Sequence, residues 1–225
     1  QATLLGVLQG LTEFLPVSST AHLVLVPWAL GWEIPREPRF AFTVLVQDGT
    51  LLAVVLYFRR DLWAVLRAVL SGLRRRAPLG TPEARLGWWI VLGPLPGVAC
   101  ALAFRDTVQA LHDRPAVSAG VLLGATAILF LGERLGRRTR GLDAMTAGDA
   151  FAVGCSQVLA LVPGVSRSAA TITGGLLRHL DRPAAARFSF LLSIPWLLGA
   201  GIHQTVELLR RPDALSEVPP LAVGF

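Results

Sequence analysis

Gln9 and Glu13 stand four residues apart, as do Ser18 and His22, and Ser19 and His22 are three apart, so each pair shares a face if its stretch is helical. A second segment carries Ser166, Arg167, Ser168 and Thr171 directly after Pro163-Gly164, with Arg167 and Thr171 four apart and Ser168 and Thr171 three apart. The residue types suggest anion chemistry. A guanidinium donates two parallel hydrogen bonds to phosphate oxygens, which an ammonium cannot do. Glu13, helped by Gln9, offers oxygen ligands to a hard divalent cation such as Mg²⁺ or Ca²⁺. Ser19 beside His22 supplies a nucleophile and a base. A helix starting after each proline would add free N–H groups and a positive dipole end. Together these features predict a site for a diphosphate.

Each group also has a purely structural reading. Ser18-Ser19-Thr20 after Pro16 fits a helix cap, and His22 fits a hydrogen-bonded packing residue. Arg167 could pair with Glu13 and lock the two segments, a role compatible with catalysis. Asp48, within Gln47-Asp48-Gly49, either lines a cavity or marks a helix packing point. His112, His179 and His203 fall near the ends of apolar segments, where solvated roles are expected, and Cys100 and Cys155 read as small buried hydrophobes.

The elements that must position these groups are membrane helices. Of 225 residues, 53% are hydrophobic and 16% charged, which excludes an ordinary soluble domain. All 21 basic residues are arginine, for a net charge of +6. They cluster between apolar runs, as in Arg59-Arg60 and Arg74-Arg75-Arg76, which fits membrane flanks and excludes a nucleic-acid surface. Spans are predicted over residues 40–58, 86–104, 116–132 and 188–206, with kinks at Pro94, Pro96 and Pro195. An amphipathic helix at the membrane surface is predicted over residues 61–76. No signal peptide is visible, and the missing initiator Met suggests a trimmed fragment.

Two apolar segments, 4–30 and 150–177, are broken near their middles by Pro16 to Thr20 and by Pro163 to Ser168. Each is expected to be a helical hairpin that enters the membrane and returns, its broken backbone buried in protein or lining a wet cavity. An offset of 148 aligns Gln9 with Gln157, Leu11 with Leu159 and Ser18 with Ser166. The expected fold is therefore all-α: a single integral membrane domain over 1–225 with two re-entrant hairpins in an inverted-topology repeat. Repeat 1 covers about 1–104 and repeat 2 about 115–225, with a truncated C-terminal helix. Segments 59–85, 133–143 and 178–187 hold most of the arginines and should be cytoplasmic, with Arg36, Arg39, Arg105, Arg114, Arg210 and Arg211 opposite. Arg167 is left alone within the membrane.

The run from Gln9 through Glu13 and Pro16-Val-Ser-Ser-Thr-Ala to His22, and the run Pro163-Gly-Val-Ser-Arg-Ser-Ala-Ala-Thr171, together resemble the undecaprenyl-diphosphate phosphatase family of the bacitracin-resistance type. The resemblance extends to the run from Arg187 to Pro195 and covers nearly the whole chain. It implies hydrolysis of undecaprenyl diphosphate to undecaprenyl phosphate and inorganic phosphate, recycling the lipid carrier of cell-wall synthesis and conferring bacitracin resistance. It further implies a multi-pass protein of the bacterial inner membrane, a divalent cation (Mg²⁺ or Ca²⁺), a polyprenyl diphosphate lipid as partner and no nucleic acid. The residues carry no signal for an oligomeric state. The site it implies has Ser19, His22 and Glu13 as catalytic residues and Gln9 and Glu13 at the metal. Ser18, Thr20, Ser166, Arg167, Ser168 and Thr171 would bind substrate. Ser19 or His22 could attack phosphorus, and Ser19 is favoured with His22 as base or acid. Gln9 replaces the family's usual Glu, which leaves Glu13 as the one carboxylate of that motif, and Asp48 stands at a usually apolar position. A polyprenyl-phosphate flippase is the alternative that broken helices and inverted repeats also fit. An intramembrane Ser–His protease would leave Glu13 and Arg167 without a task, and the lipid phosphatases that depend on a Lys-containing motif are excluded by the absence of Lys.

Overall fold

The computed structural model of the chain describes residues 1–32, 42–43, 45–104, 107 and 115–210. Expectations placed on Arg36, Arg39, Arg105, His112, Arg114, Arg211 and residues 211–225 lie outside them. The described residues are helical, with no strand among them beyond one isolated bridge between Arg140 and Leu180. In order the helices are α1 (Ala2–Thr12), α2 (Ser19–Ala29), α3 (Gln47–Tyr57), α4 (Arg59–Arg74), α5 (Pro82–Leu92), α6 (Leu95–Ala103), α7 (Pro115–Leu135), α8 (Ala147–Ser156), α9 (Arg167–Leu177) and α10 (Arg182–Leu209). Short 3₁₀ turns at Leu142–Ala144 and Gln157–Leu161 precede and follow α8.

Three stretches are long and apolar enough to cross a membrane: Pro82–Ala103, Ala116–Leu135 and Arg182–Glu207, of 22, 20 and 26 residues. They correspond to three of the four expected spans. The first is broken at Gly93-Pro94, because proline lacks the N–H that would continue the ladder and its ring crowds the carbonyl one turn back. Pro195 sits inside the unbroken α10. For the fourth expected span, the described part is α3 and a helical turn in which the Val46 N–H donates to the Phe42 carbonyl at 2.9 Å; residues 40, 41 and 44 lie outside the description. Large apolar side chains such as Leu4, Val7 and Leu11 of α1, Leu123 and Phe130 of α7 and Ile202 of α10 are exposed, as helices bathed in lipid require.

The core runs along α10. Phe188, Leu191 and Leu192 are fully buried against Leu176 of α9 and Leu180, and Val153 of α8 and Ile90 of α5 complete the cluster. α8 meets the α5–α6 break where Gly154 lies against the Gly93 backbone so closely that any side chain at 154 would overlap its carbonyl. On α4 the expected apolar stripe divides. Val65 and Val69 pack on Gly87 of α5, whereas Trp63, Leu66, Leu70 and Leu73 stay exposed and Arg67 stacks over Trp63 at 4.8 Å. That division suits a helix lying between protein and headgroups.

Beyond the arginine-rich loop, Asp149 is fully buried at the start of α8 and forms a reciprocal capping box with Thr146. It accepts hydrogen bonds from Arg140 Nη2 and Arg178 Nε, each at 2.7 Å. Burial alone would raise its pKa, but the bonds from Arg140, the Thr146 N–H and Arg178 outweigh it and hold the carboxyl far below the ordinary carboxylate range. A depressed folded-state pKa adds stability that is complete above the unfolded value near 3.9 and is lost only as pH falls below it. Asp149→Asn is therefore expected to cost about 3 kcal/mol at neutral pH by leaving two guanidinium groups without their partner. Thermal unfolding in detergent should show this deficit undiminished down to pH 5; a deficit that vanished between pH 7 and pH 5 would contradict the pairing.

Candidate active site

Both central breaks are built by backbone that cannot remain helical. In the first, Pro16 follows α1, and Ser18 adopts φ 62°, a left-handed conformation that costs a non-glycine residue about 1 kcal/mol or more. The Ser18 side chain then accepts from the Ala21 N–H and starts α2. In the second, the Val165 N–H donates to the Val162 carbonyl at 3.0 Å, closing a turn with Pro163 at its second position and Gly164, φ 104°, at its third. That is the residue order of a type II turn. Ser166 accepts from the Ala169 N–H at 3.2 Å and starts α9. A Cβ on Gly164 would stand 2.5 Å from the Ser118 carbonyl oxygen and 2.9 Å from Val121 Cβ of α7. Gly164→Ala is thus expected to destabilise the protein by about 2 kcal/mol or more and to lower activity by displacing Arg167. An unchanged unfolding midpoint in detergent would count against this turn.

The two breaks meet at one carboxylate. Glu13 Oε2 accepts from Gln9 Nε2 at 2.8 Å and from Ser19 Oγ at 2.7 Å, and Oε1 accepts from Arg167 Nη2 at 2.9 Å, across 154 residues of sequence. The Glu13 and Arg167 side chains are only 5% and 8% exposed, so each charge depends on the other. The pair uses one guanidinium nitrogen. Arg167 Nη1 makes only a 3.4 Å contact with the Ser189 carbonyl, and its buried Nε has no partner among the described residues. The guanidinium thus keeps donors in reserve for a further acceptor. Phe14 lies below it, 5.9 Å from the guanidinium carbon.

Glu13, Ser19 and Arg167 line a cavity of about 230 Å³; Gln9, fully buried behind Glu13, does not. Glu13, Ser18, Ser19 and Thr20 come from the first break, and Ser166 and Arg167 from the second. Ser168 and Thr171 do not line it. Ser168 donates to the Leu15 carbonyl at 3.0 Å, so the Ser166 hydroxyl must donate to Ser168 Oγ at 2.9 Å, and this chain of bonds ties one break to the other. Thr171, fully buried, bonds the Arg167 carbonyl at 2.8 Å and Ser189 Oγ at 2.6 Å, fixing α9 to α10. His22 lies a turn into α2 and is not among the lining residues. Its Nδ1 is 2.8 Å from the Ser18 carbonyl, which can only accept, so Nδ1 carries a proton, and in the neutral ring Nε2 is the acceptor.

Sequence reasoning gave no role to Ser189, Trp196 or Gln47. Ser189 holds Arg167 and Thr171, and Trp196 and Gln47 line the cavity. A signal for the first was present: Ser189 and Ser193, both fully buried, lie four apart on one face of an apolar span. Asp48 does not line the cavity; its carboxylate lies flush on Gly201 of α10.

The architecture defines an all-helical membrane protein whose buried carboxylate, hydroxyl and guanidinium face one cavity. The chain belongs to the family described as Bacitracin resistance protein BacA, which it matches over residues 2–225. Among curated relatives, the undecaprenyl-diphosphatase of Chlorobaculum tepidum is 45% identical over 214 residues, 92% of this chain and 75% of the relative. The undecaprenyl-diphosphatase of Anaeromyxobacter sp. strain K is 49% identical over 212 residues, covering 93% and 72%. That of Chlorobium chlorochromatii is 44% identical over 237 residues, covering 100% and 83%.

Proposed function

We propose that the protein hydrolyses undecaprenyl diphosphate to undecaprenyl phosphate and inorganic phosphate, recycling a lipid carrier in the bacterial inner membrane. The observation that carries this reading is the Glu13 carboxylate, bonded at once by Gln9, Ser19 and Arg167. Ser19 Oγ attacks the terminal phosphorus while its proton passes to Glu13, the acceptor it already touches. The phosphorus–oxygen bond of the anhydride breaks, and undecaprenyl phosphate leaves. Water then cleaves the phosphoseryl ester, releasing inorganic phosphate and restoring the hydroxyl. The spare donors of Arg167 and the N–H groups at the start of α2 and α9 bind the phosphate oxygens, with Ser18, Thr20 and Ser166 beside them. Ser168 and Thr171 hold α9 in place, and His22, whose Nδ1 is turned to the Ser18 carbonyl, keeps Nε2 as an acid–base group for the leaving phosphate or the water.

A divalent cation, Mg²⁺ or Ca²⁺, fits the donor set. Gln9 Oε1 is buried without a partner among the described residues, next to the Glu13 carboxylate. With the amide turned so that Oε1 faced Glu13, the two residues would offer oxygens to a hard cation that would complete its shell with water and phosphate oxygens. When bound, the cation offsets charge on the diphosphate. Purified protein in detergent should release phosphate from a polyprenyl diphosphate with Mg²⁺ or Ca²⁺ and lose at least about 100-fold in rate on chelation, recovering on readdition. Lipid translocation in vesicles without phosphate release would favour the flippase reading instead.

The fold belongs to the same proposal. α2 and α9 are each 11 residues, about 16 Å, half of a hydrocarbon core. Both begin one residue after a serine cap, and the offset of 148 carries Ser18 onto Ser166 and Ala21 onto Ala169, the acceptor and donor of each cap. This supports two re-entrant hairpins in an inverted repeat within a single multi-pass domain, with the arginine-rich loops in the cytoplasm.

A further inference from the structure

A second, larger cavity lies outside the site. It is a cleft of about 640 Å³ between α3 and α10, lined by Ala53, Val54, Tyr57 and Phe58 on one side and by Pro183, Ala186, Arg187 and Phe190 on the other. Both walls follow from helical spacing. Positions 53, 54 and 57 form one stripe of α3 that Phe58 continues just past its end, and 183, 186, 187 and 190 form one stripe over two turns of α10, about 10 Å long. Ala53 and Ala186 give each wall one small side chain.

Its two ends differ in chemistry. The outer end is closed by the ion pair between Arg187 Nη2 and Asp61 Oδ1 at 2.7 Å, on the arginine-rich side of the protein. The inner end is Phe14, packed edge-on to Phe190 with ring centroids 5.2 Å apart. Phe14 follows Glu13 in the chain and lies beneath Arg167, and Phe190 follows Ser189, whose carbonyl faces Arg167. The same two short segments therefore present polar groups to the diphosphate cavity and aromatic rings to the cleft.

We propose that this cleft receives the prenyl chain of the substrate, so that the head bound at Arg167 and the chain bound between α3 and α10 are parts of one site. The inference rests on the diphosphatase reading. A polyprenyl chain is apolar, as are the walls between the Phe14–Phe190 pair and the Arg187–Asp61 ion pair, and it enters beside the rings that back the head's binding groups. The cleft continues away from the headgroup cavity toward the opposite, arginine-rich face. Its inner end at Phe14 lies 5.9 Å from the Arg167 guanidinium carbon, so the cleft suits the isoprene units that follow the head directly. A chain of a single isoprene unit would be too short to fill its length of about 10 Å.

Chain-length selectivity tests this. Ala186→Phe fills the cleft from α10 and Ala53→Phe fills it from α3. Each is expected to lower the ratio of kcat/KM for undecaprenyl diphosphate to that for isopentenyl diphosphate by at least about tenfold, a usual scale for discrimination in an apolar pocket. An unchanged ratio in a variant that keeps its unfolding midpoint overturns the proposal. Wild-type protein provides an independent readout that does not require turnover. A prenyl diphosphate with a photoreactive group in its second isoprene unit should label residues 53–61 or 183–190, and excess undecaprenyl diphosphate should suppress the label. Labelling elsewhere, or labelling that undecaprenyl diphosphate does not suppress, would assign the cleft to a bilayer acyl chain and overturn the proposal. If wild-type protein released no phosphate from either substrate, the diphosphatase reading itself would fail; release from both with no chain-length effect in the variants overturns only the cleft assignment.

Discussion

Arg167→Ala is expected to reduce phosphate release from a polyprenyl diphosphate by about 1,000-fold, since removing a single positioned donor to developing charge already costs roughly 10² to 10³ in kcat. The substitution removes the reserve Nε and Nη1 donors together with the only cation that touches Glu13 among the described residues. It should also lower stability by about 3 kcal/mol, because a carboxylate 5% exposed is left without its counter-ion. The two effects separate in the double substitution Glu13→Gln with Arg167→Ala. Removing both charges restores much of the unfolding midpoint and none of the activity. Arg167→Lys keeps the charge but offers one ammonium in place of a planar fork, which cannot both hold Glu13 and grip a phosphate; about 100-fold loss is expected. Phosphate release within tenfold of wild type in a folded Arg167→Ala protein would remove Arg167 from the reaction.

Much of this site is legible in local spacing. Gln9 and Glu13, one helical turn apart, do touch, and the two proline breaks do carry serine caps. The pairing of Glu13 with Arg167 could be anticipated because an isolated charge at membrane depth is costly, so the few present must find one another. Spacing failed where the chain leaves the helix. Ser19 and His22 share a face of α2, which suggested that they interact; yet the Ser19 hydroxyl reaches back across the break to Glu13, a contact set by the left-handed Ser18 and by no helical period. Ser189 was missed for a related reason: its partners Arg167 and Thr171 are brought to it by the packing of α9 on α10. The division of the α4 stripe was equally invisible, since only the presence of Gly87 on α5 decides which apolar residues turn inward.

The bond from Ser19 to Glu13 gives the second large effect. In the proposed mechanism Ser19→Ala removes the nucleophile and Glu13→Gln removes the acceptor of its proton, so each is expected to lower kcat by about 1,000-fold, within the range that general-base and nucleophile substitutions produce. Groups that act as one unit are not additive, so the double substitution should be no slower than the worse single one by more than about threefold. Losses that multiplied would mean that the two residues serve separate steps. The intermediate identifies the attacking atom directly. With substrate labelled at the terminal phosphate and an acid quench, attack by Ser19 leaves an acid-stable phosphoserine on the peptide that carries Ser18-Ser19-Thr20. Attack by His22 would leave an acid-labile, base-stable phosphoramidate instead. The geometry favours the first, because the Ser19 hydroxyl lines the cavity with its proton already directed at a carboxylate, whereas the His22 ring is turned to the Ser18 carbonyl and is not among the lining residues.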